Sequence, residues 1–201
     1  MIISHSKGRG KKIHLLLDDE YQITTDIDFW AENYIKDGTE IDDEQWQELV
    51  DKINFKKAVN KCYDFLSRRD YSVKELKDKL LRTVDLDNAQ RAIDLMLDYG
   101  YLNDEEYAKE LLNHLLNNKN MSKSFIIQEM RKKGISSDIY DELILNNEID
   151  NISTAETLIK NKYIYKLNEQ NGREKVIAAL LRKGFSYSDI LAALDKLEDY
   201  E

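Results

Sequence analysis

The sequence predicts a mainly α-helical fold of tandem three-helix repeats, preceded by a small N-terminal segment with a β-hairpin and helices. Three observations predict this fold. The chain of 201 residues contains no proline and only seven glycines, so its helices have few interruptions. Beyond about residue 55, apolar residues recur at the spacing of amphipathic helices. Equivalent residues also recur at an interval of fifty, which is typical of duplicated supersecondary units.

Serines, aliphatic residues, cations and glycines all keep the fifty-residue interval. The matched sets are Ser72, Ser122 and Gly172; Leu76, Ile126 and Val176; Leu80, Met130 and Leu180; Arg82, Lys132 and Arg182; and Gly134 with Gly184. A unit of this size cannot bury its apolar face alone, so we expect three units stacked side by side. Such arrays usually present an extended surface to a large partner.

The N-terminal segment differs from the rest of the chain. Two short β-type runs at 12–17 and 20–23 flank a pair of aspartates and predict a hairpin. A short aromatic-rich helix follows and is expected to end at Gly38. A second helix begins near Asp42, with Gln45 three residues later as in a capping box. We interpret the aromatic residues here as a small accessory core.

The periodicity divides the chain into four segments. We predict an acidic N-terminal hairpin and helix segment at residues 1–54, followed by three-helix repeats at 55–102, 103–150 and 151–201. The three repeats account for about nine helices.

Cap residues mark the helix boundaries within the repeats. Polar residues followed three positions later by glutamate indicate starts at Ser72, Asn103 and Ser153, and glycines indicate ends at Gly100, Gly134 and Gly184.

Two departures weaken strict equivalence of the three repeats. Val84 stands where the later repeats have glycine, so the first repeat must leave its middle helix by a different turn. Lys162 and Lys166 replace apolar positions, so we expect the first helix of the third repeat to pack on one side only.

The net charge of −9 is segregated along the chain. Residues 18–51 contain thirteen carboxylates and one cation, whereas the windows 68–82, 119–133 and 171–183 carry net charges of +3, +4 and +3. The basic charge therefore recurs with the repeat, although charge runs are often no more than solvated helix faces. The acidic total argues against indiscriminate attraction to nucleic acid or to an anionic membrane.

The sequence predicts neither an enzyme nor a metal site. The three histidines, His5, His14 and His114, do not share a helical face, and no zinc-type spacing is present. Cys62 lies within the apolar stripe of its helix, where we interpret it as a core residue. No phosphate-binding loop or nucleophile elbow occurs, so we predict no catalytic residue and no cofactor. A single cysteine and the absence of an eighteen-residue apolar run fit a cytoplasmic protein without membrane contact.

An ordered set of short motifs resembles the RecX family of regulatory proteins, which modulate the recombinase RecA. The matching residues of the first part are Leu66, Arg69, Ser72, Glu75, Leu76, Gly100, Tyr101, Leu102, Asn103, Asp104, Tyr107 and Ala108. A later signature, an aliphatic helix that ends in Lys-Gly, matches at Lys133-Gly134 and recurs at Lys183-Gly184. The resemblance covers residues 55–197 and implies an elongated, curved array. We interpret Ser72, Glu75 and Asp104 as helix caps.

The resemblance also implies a function. Members of the family bind RecA and its filament on single-stranded DNA, and they reduce ATP hydrolysis and strand exchange in recombination, DNA repair and the SOS response. We therefore expect a monomeric RecA modulator that binds DNA at most weakly. The predicted partner-binding residues are basic residues of the middle helices and their flanks, namely Arg68, Arg69, Lys74, Lys77, Arg82, Lys123, Arg131, Lys132, Lys133, Arg173, Arg182 and Lys183.

Two other interpretations stay open at this point. The basic middle helix of each repeat would also suit a helical nucleic-acid-binding protein, whose affinity for DNA would fall steeply with salt. A general helical adaptor is the third interpretation. Neither requires a reaction centre.

Overall fold

The computed structural model describes residues 1–198. The chain forms two compact units. The first comprises Met1–Arg69 together with Leu76–Tyr101, and the second comprises Asp70–Glu75 together with the chain from Leu102 onward. The predicted three-helix pattern and the N-terminal strands are both present, which confirms the mainly α-helical fold class.

A four-stranded antiparallel sheet begins the first unit. Its strands are β1 (Ile2–Lys7), β2 (Lys12–Leu17), β3 (Glu20–Asp26) and β4 (Thr39–Glu40), in the spatial order β3-β2-β1-β4. The predicted hairpin is β2–β3, and both turn residues adopt left-handed conformations, with φ of 48° at Asp18 and 64° at Asp19. Strands β1 and β4 were not predicted. Apart from two isoleucines β1 is polar, so it lacks an alternating pattern, and its place is decided by pairing with β2.

Helix α1 (Ile27–Glu32) covers this sheet with Phe29 and Trp30. The two aromatic rings are 6% and 4% exposed and pack against the buried aliphatic residues of β1 and β2. The predicted accessory core is therefore present. The helix ends at Asn33, earlier than the expected Gly38, because the Asn33 amide returns a hydrogen bond to the Phe29 carbonyl.

Helix α2 (Asp43–Leu66) runs for 24 residues without a break. It starts with the predicted capping box, in which Asp42 and Gln45 exchange side-chain to backbone hydrogen bonds of 2.8 and 3.1 Å. The helix crosses the position between residues 54 and 55 where a segment boundary was predicted. Trp46 and Leu49 join the sheet core, whereas Cys62 is fully buried further along the helix. The pKa of the Cys62 thiol is raised to about 11 by burial, as expected for a core residue.

Two more helices complete the first repeat. They are α3 (Val73–Leu80) and α4 (Leu86–Asp98). Helix α3 ends at Leu80, whose carbonyl accepts from the Val84 N–H, so the first repeat does leave its middle helix by a turn without glycine. Asp85 then caps α4 by accepting from the Asn88 N–H.

The second unit contains the second and third repeats. The second repeat is formed by α5 (Asp104–Asn113) with a π-helical turn at His114–Asn118, α6 (Lys123–Lys132) and α7 (Ser137–Asn146). The third repeat is formed by α8 (Asn151–Leu158), a π-helical turn at Ile159–Tyr163, α9 (Ile164–Leu167), α10 (Gly172–Leu181) and α11 (Tyr187–Glu198). Each repeat has its own buried aliphatic core.

The first helix of the third repeat departs from the prediction. It starts earlier than Ser153, because Asp150 supplies the N-cap by accepting from the Ile152 N–H. It is also divided by the π-helical turn, which contains Lys162, whereas Lys166 lies in α9, and both lysines are exposed. The apolar residues of this segment pack on the core of the third repeat while both lysines face solvent, so the expected one-sided packing is confirmed.

Candidate partner-binding surface

Residues 70–75 dock on the end of α6 through what we call the first junction. The Ser72 hydroxyl donates to the Lys133 carbonyl at 2.6 Å and accepts from the Glu75 N–H at 3.2 Å. Ser72 is fully buried in this position. The Val73 N–H donates to Asp104 at 2.9 Å, so the first residue of α5 satisfies the free start of the preceding repeat's middle helix.

A charged cluster closes the first junction. The Lys133 ammonium lies 2.5 Å from one carboxylate oxygen of Glu75, and the Tyr107 hydroxyl donates to the other at 2.9 Å. The side chains of the ion pair are 26% and 19% exposed, so the pair is largely withdrawn from water. Burial raises the pKa of Asp104, which the hydrogen bond from Val73 partly opposes.

A related arrangement recurs fifty residues later as the second junction, in which a backbone N–H takes the place of the serine hydroxyl as donor to the lysine carbonyl. The Ser122 N–H donates to the Lys183 carbonyl at 3.2 Å, and the Ser124 hydroxyl donates to the Gly184 carbonyl at 2.7 Å. The amide of Asn151 replaces Asp104 and accepts from the backbone N–H of the middle helix at 2.9 Å.

Close backbone approach at both junctions explains the Lys-Gly signature. Gly134 and Gly184 have φ of 79° and 84° and end their helices with the hydrogen-bond pattern of a Schellman motif. A Cβ at Gly134 would lie 2.5 Å from the Cβ of Lys74, and one at Gly184 would lie 2.6 Å from the Ser122 hydroxyl. Each glycine therefore provides the turn and also the space into which the neighbouring repeat packs.

Two of the predicted partner-binding lysines belong to these junctions. Lys133 and Lys183 are half-buried, and their ammonium groups bind Glu75 and the Lys119 carbonyl, the latter at 2.7 Å. Lys74 is exposed, with the base of its side chain packed beside Gly134.

The other candidates on α6 and α10 are exposed. Lys123 and Lys132 lie on α6, and Arg182 follows the end of α10. Arg131 donates to the Tyr140 hydroxyl at 2.9 Å and lies over its ring, and Arg173 faces Asp195 at 3.5 Å. The structure thus gives α6 and α10 basic residues on their solvent-facing sides.

Four candidates lie in the first unit. Arg68 pairs with Asp64 at 2.9 Å, and Lys77 donates to the Gln90 side chain at 2.6 Å. Arg69 and Arg82 are exposed.

The sequence interpretation missed how the family motif residues work. Asp104 is a helix cap as predicted, but the helix that it caps is α3, which precedes it by some thirty residues, while the predicted Asn103 caps α5. The Glu75 carboxylate was expected to accept a hydrogen bond from the backbone at the start of its own helix, but it binds Lys133 and Tyr107. The recurrence of Asp104 as Asn151 after 47 residues was the available signal, since both accept from the equivalent backbone N–H.

The described residues were searched for clusters of metal ligands and for membrane-spanning helices. Residues 1–198 contain no group of three histidine, cysteine or carboxylate side chains arranged to hold a metal ion. His5 binds Asp37, and His14 binds Thr24. Within the same range, none of the helices has the length and apolar character needed to cross a bilayer.

Comparison with known proteins gives a consistent result. The model of the first three-helix domain of RecX matches residues 58–94, and that of the second matches residues 103–144. The regulatory protein RecX of Bacillus subtilis (strain 168) is 30% identical over 202 residues, covering 98% of this chain and 76% of that protein. The regulatory protein RecX of Clostridioides difficile (strain 630) is 28% identical, covering 99% and 95%.

Solved structures support the same fold. A crystal structure of a regulatory protein RecX superposes with a TM-score of 0.66 at 20% identity, covering 96% of this chain and 98% of that chain. RecX from Lactobacillus salivarius gives a TM-score of 0.59 at 25% identity, covering 72% of this chain and 97% of that chain. The two matched domains contain the residues of the first junction, and the chain belongs to the RecX family of regulatory proteins.

Proposed function

We propose that the protein regulates RecA by binding the RecA filament on single-stranded DNA through the basic, solvent-facing sides of α6 and α10. This role carries the predicted inhibition of ATP hydrolysis, a place in DNA repair, recombination and the SOS response, and a cytoplasmic location. Membership of a family of regulatory proteins supports it.

The observation that carries the proposal is the repetition of one cationic position. Lys132 ends α6, and Arg182 follows α10 at the equivalent place fifty residues later. Both are exposed, whereas the adjacent Lys133 and Lys183 are held in the junctions. Because both helices end in the same junction geometry, they present their cations in the same local setting. A repeated cationic surface suits a target that is itself repetitive, since two contacts engaged together bind more tightly than either alone.

RecA's DNA-dependent ATPase activity provides the test. We expect the wild-type protein to lower the rate at sub-stoichiometric and equimolar doses, and a Lys132→Glu/Arg182→Glu variant to require a roughly tenfold higher dose, the loss expected when bivalent engagement fails. These two positions are preferred to Arg131 and Lys133 because the latter bind Tyr140 and Glu75 within the fold.

The matched control is Lys36→Glu/Lys196→Glu, which makes the same change of net charge at exposed positions. We expect the control to inhibit like the wild type. An unchanged ATPase rate at both doses of wild-type protein would refute the proposal, and equal loss in the two variants would show that total charge matters rather than these two positions.

A further inference from the structure

A groove lies in the first unit between β4 and α2. One cavity of about 480 Å³ is lined by the end of α1 and the chain after it, by β4, and by α2 as far as Lys52. A second cavity of about 540 Å³ continues along the first residues of α2. The two cavities share Glu40, Ile41 and Gln45, so they form one continuous groove, which we call the β4–α2 groove.

The floor of the β4–α2 groove is apolar. Ile41 and Leu49 line it, and both are buried because they also belong to the sheet core. Tyr34 lines the same cavity and is 56% exposed. Its ring meets the rings of His5 and Trp30 edge-on, each at a centroid distance of 5.8 Å, which fixes its place. The groove therefore offers apolar surface and an anchored, exposed aromatic ring.

The rim of the groove is acidic. Glu32 comes from the end of α1, Glu40 from β4 and Glu48 from α2, and all three are exposed. Asp42 and Asp43 add two exposed carboxylates along the second cavity. These residues belong to the segment 18–51, which contains thirteen carboxylates and one cation and which the proposed RecA contact does not use.

The cations of the groove are already engaged within the fold. Among the described residues that line it, Lys52 is the single cationic side chain, and its ammonium lies 2.7 Å from a carboxylate oxygen of Glu48. The Met1 ammonium donates to the Ile41 carbonyl at 3.1 Å. The lining therefore supplies no second cationic side chain to Glu32 and Glu40, and a cation from outside would complement them.

The edge of the sheet adds backbone groups to the groove. Strand β4 is an edge strand that pairs with β1. Met1 and Ile41 exchange both of their backbone hydrogen bonds, so Glu40, one position along the ladder, directs its N–H and C=O away from β1. An extended peptide can pair with backbone groups at such an edge, and its side chains then reach neighbouring pockets.

Charge distinguishes the possible occupants of the groove. Carboxylates around the rim repel phosphate groups, which disfavours nucleic acid. A second copy of this chain carries a net charge of −9 and is repelled at long range. A segment that alternates cationic and apolar side chains complements both parts of the groove, because successive side chains of an extended chain point to opposite faces.

We infer that the β4–α2 groove is a docking site for an extended, basic segment of a protein partner, whose lysine or arginine side chains meet Glu32, Glu40 and Glu48 while its apolar side chains rest on the floor. The groove lies in the first unit, whereas α6 and α10 lie in the second. The inference therefore does not depend on the proposed RecA contact, and the protein alone suffices to test it.

Fluorescence anisotropy with a labelled octapeptide of alternating lysine and leucine tests the site. We expect Glu32→Gln/Glu40→Gln/Glu48→Gln to weaken binding at least about tenfold, because the rim loses three charges. Tyr34→Ala should weaken binding about fivefold, because the exposed ring supplies apolar contact area. A peptide with serine in place of leucine should bind about tenfold more weakly, since the floor then gains little from burial. Circular dichroism checks that each variant keeps its helix content.

Matched controls separate this groove from acidic surface in general. Glu105→Gln/Asp138→Asn/Glu142→Gln removes three exposed carboxylates from α5 and α7, and we expect less than about a threefold loss because salt screens charges that do not touch the peptide. Tyr99→Ala removes another exposed ring of the first unit and should bind like the wild type.

Four results would overturn the inference. They are no binding by the wild type, equal losses in the two triple variants, equal affinity for the leucine and serine peptides, and self-association in sedimentation that Glu32→Gln/Glu40→Gln/Glu48→Gln abolishes. The last result would assign the groove to a second copy of the chain instead of a basic partner.

Discussion

The two junctions of the second unit share one backbone design but differ in charge. In both, a serine at the start of a middle helix meets the Lys-Gly end of the next one, and an Asp or Asn oxygen caps the open N–H group. In the first junction Lys133 faces a carboxylate. In the second, Phe125 stands fifty residues after Glu75, and Lys183 reaches a neutral carbonyl instead.

This difference shows what the repeat keeps and what it varies. The backbone contacts are kept because they satisfy N–H groups that a helix start cannot pair by itself. The side-chain charges vary, so the first junction neutralises its lysine internally while the second does not. At the second junction a lysine therefore binds a neutral carbonyl in the place where the first junction has an ion pair.

The largest expected effect comes from adding a side chain at the glycine that ends the middle helix in a junction. Gly134→Ala should lower the free energy of unfolding by about 2–4 kcal/mol, because a left-handed residue gains a Cβ and because that Cβ collides with the fixed base of Lys74. Urea denaturation followed by circular dichroism measures the loss.

Gly100→Ala is the matched control for this substitution. Gly100 has φ of 71° but nothing within 4 Å of an added Cβ. We therefore expect only the conformational cost, about 1 kcal/mol. Equal losses at Gly100 and Gly134 would show that close packing adds nothing at the junction.

Removing the two equivalent lysines tests the difference in charge directly. Lys133→Met should cost about 1–3 kcal/mol, because it leaves the largely buried Glu75 carboxylate without its cation. Lys183→Met should cost about 1 kcal/mol or less, because it removes a hydrogen bond without stranding a charge. Urea denaturation of both variants gives the comparison.

Lys132→Met controls for loss of a lysine at the same helix end. Its side chain is 72% exposed, so its ammonium stays hydrated beside Glu129, and we expect a change below about 0.5 kcal/mol. A Glu75→Leu/Lys133→Met double variant should recover part of the loss. If Lys133→Met and Lys183→Met lost the same free energy of unfolding, the difference in charge between the junctions would not contribute to stability.

The smallest effect concerns the capping oxygen, which is Asp104 in one junction and Asn151 in the other. Burial raises the pKa of Asp104, so the folded state holds its proton more tightly than the unfolded chain does. Ionisation of Asp104 therefore lowers the free energy of unfolding, and this loss of stability develops as the pH rises through the raised pKa. Asp104→Asn should be neutral or stabilising by less than about 1 kcal/mol at pH 7, since the amide oxygen still accepts from Val73. Thermal unfolding between pH 3 and pH 7 should show the difference vanishing in acid.

Asp85→Asn is the control of opposite sign. The hydrogen bond from the Asn88 backbone lowers the pKa of Asp85, so its ionised form stabilises the fold above the unfolded-state pKa and the benefit disappears as pH falls. We expect this variant to lose stability at pH 7 and to match the wild type in acid. The same pH response in both variants would contradict the assignment of Asp104.

Part of the fold could be predicted from the sequence because it depends on residues that are close together in the chain. The capping box of α2 and the hairpin turn at Asp18 depend on neighbours within a few residues, so local pattern predicts them. The β1 strand pairs with residues six to fourteen positions away, and Asp104 caps a residue 31 positions away, so local pattern does not predict either of them. The exposed cations of the candidate surface recur at a fixed interval, so the sequence predicts them. The burial of Lys133 and Lys183 depends on contacts with Glu75 and Lys119, which the spacing of residues does not predict.

Helix periodicity, caps and a fixed interval by themselves determined that this chain is a helical repeat protein, because they are properties of the chain alone, and the order of its short motifs carried the resemblance to the RecX family. Only the tertiary structure decided which lysines face solvent and which join the repeats. Burial and pairing are made by residues distant in sequence, and they fix whether a charge is offered to a partner or used within the fold.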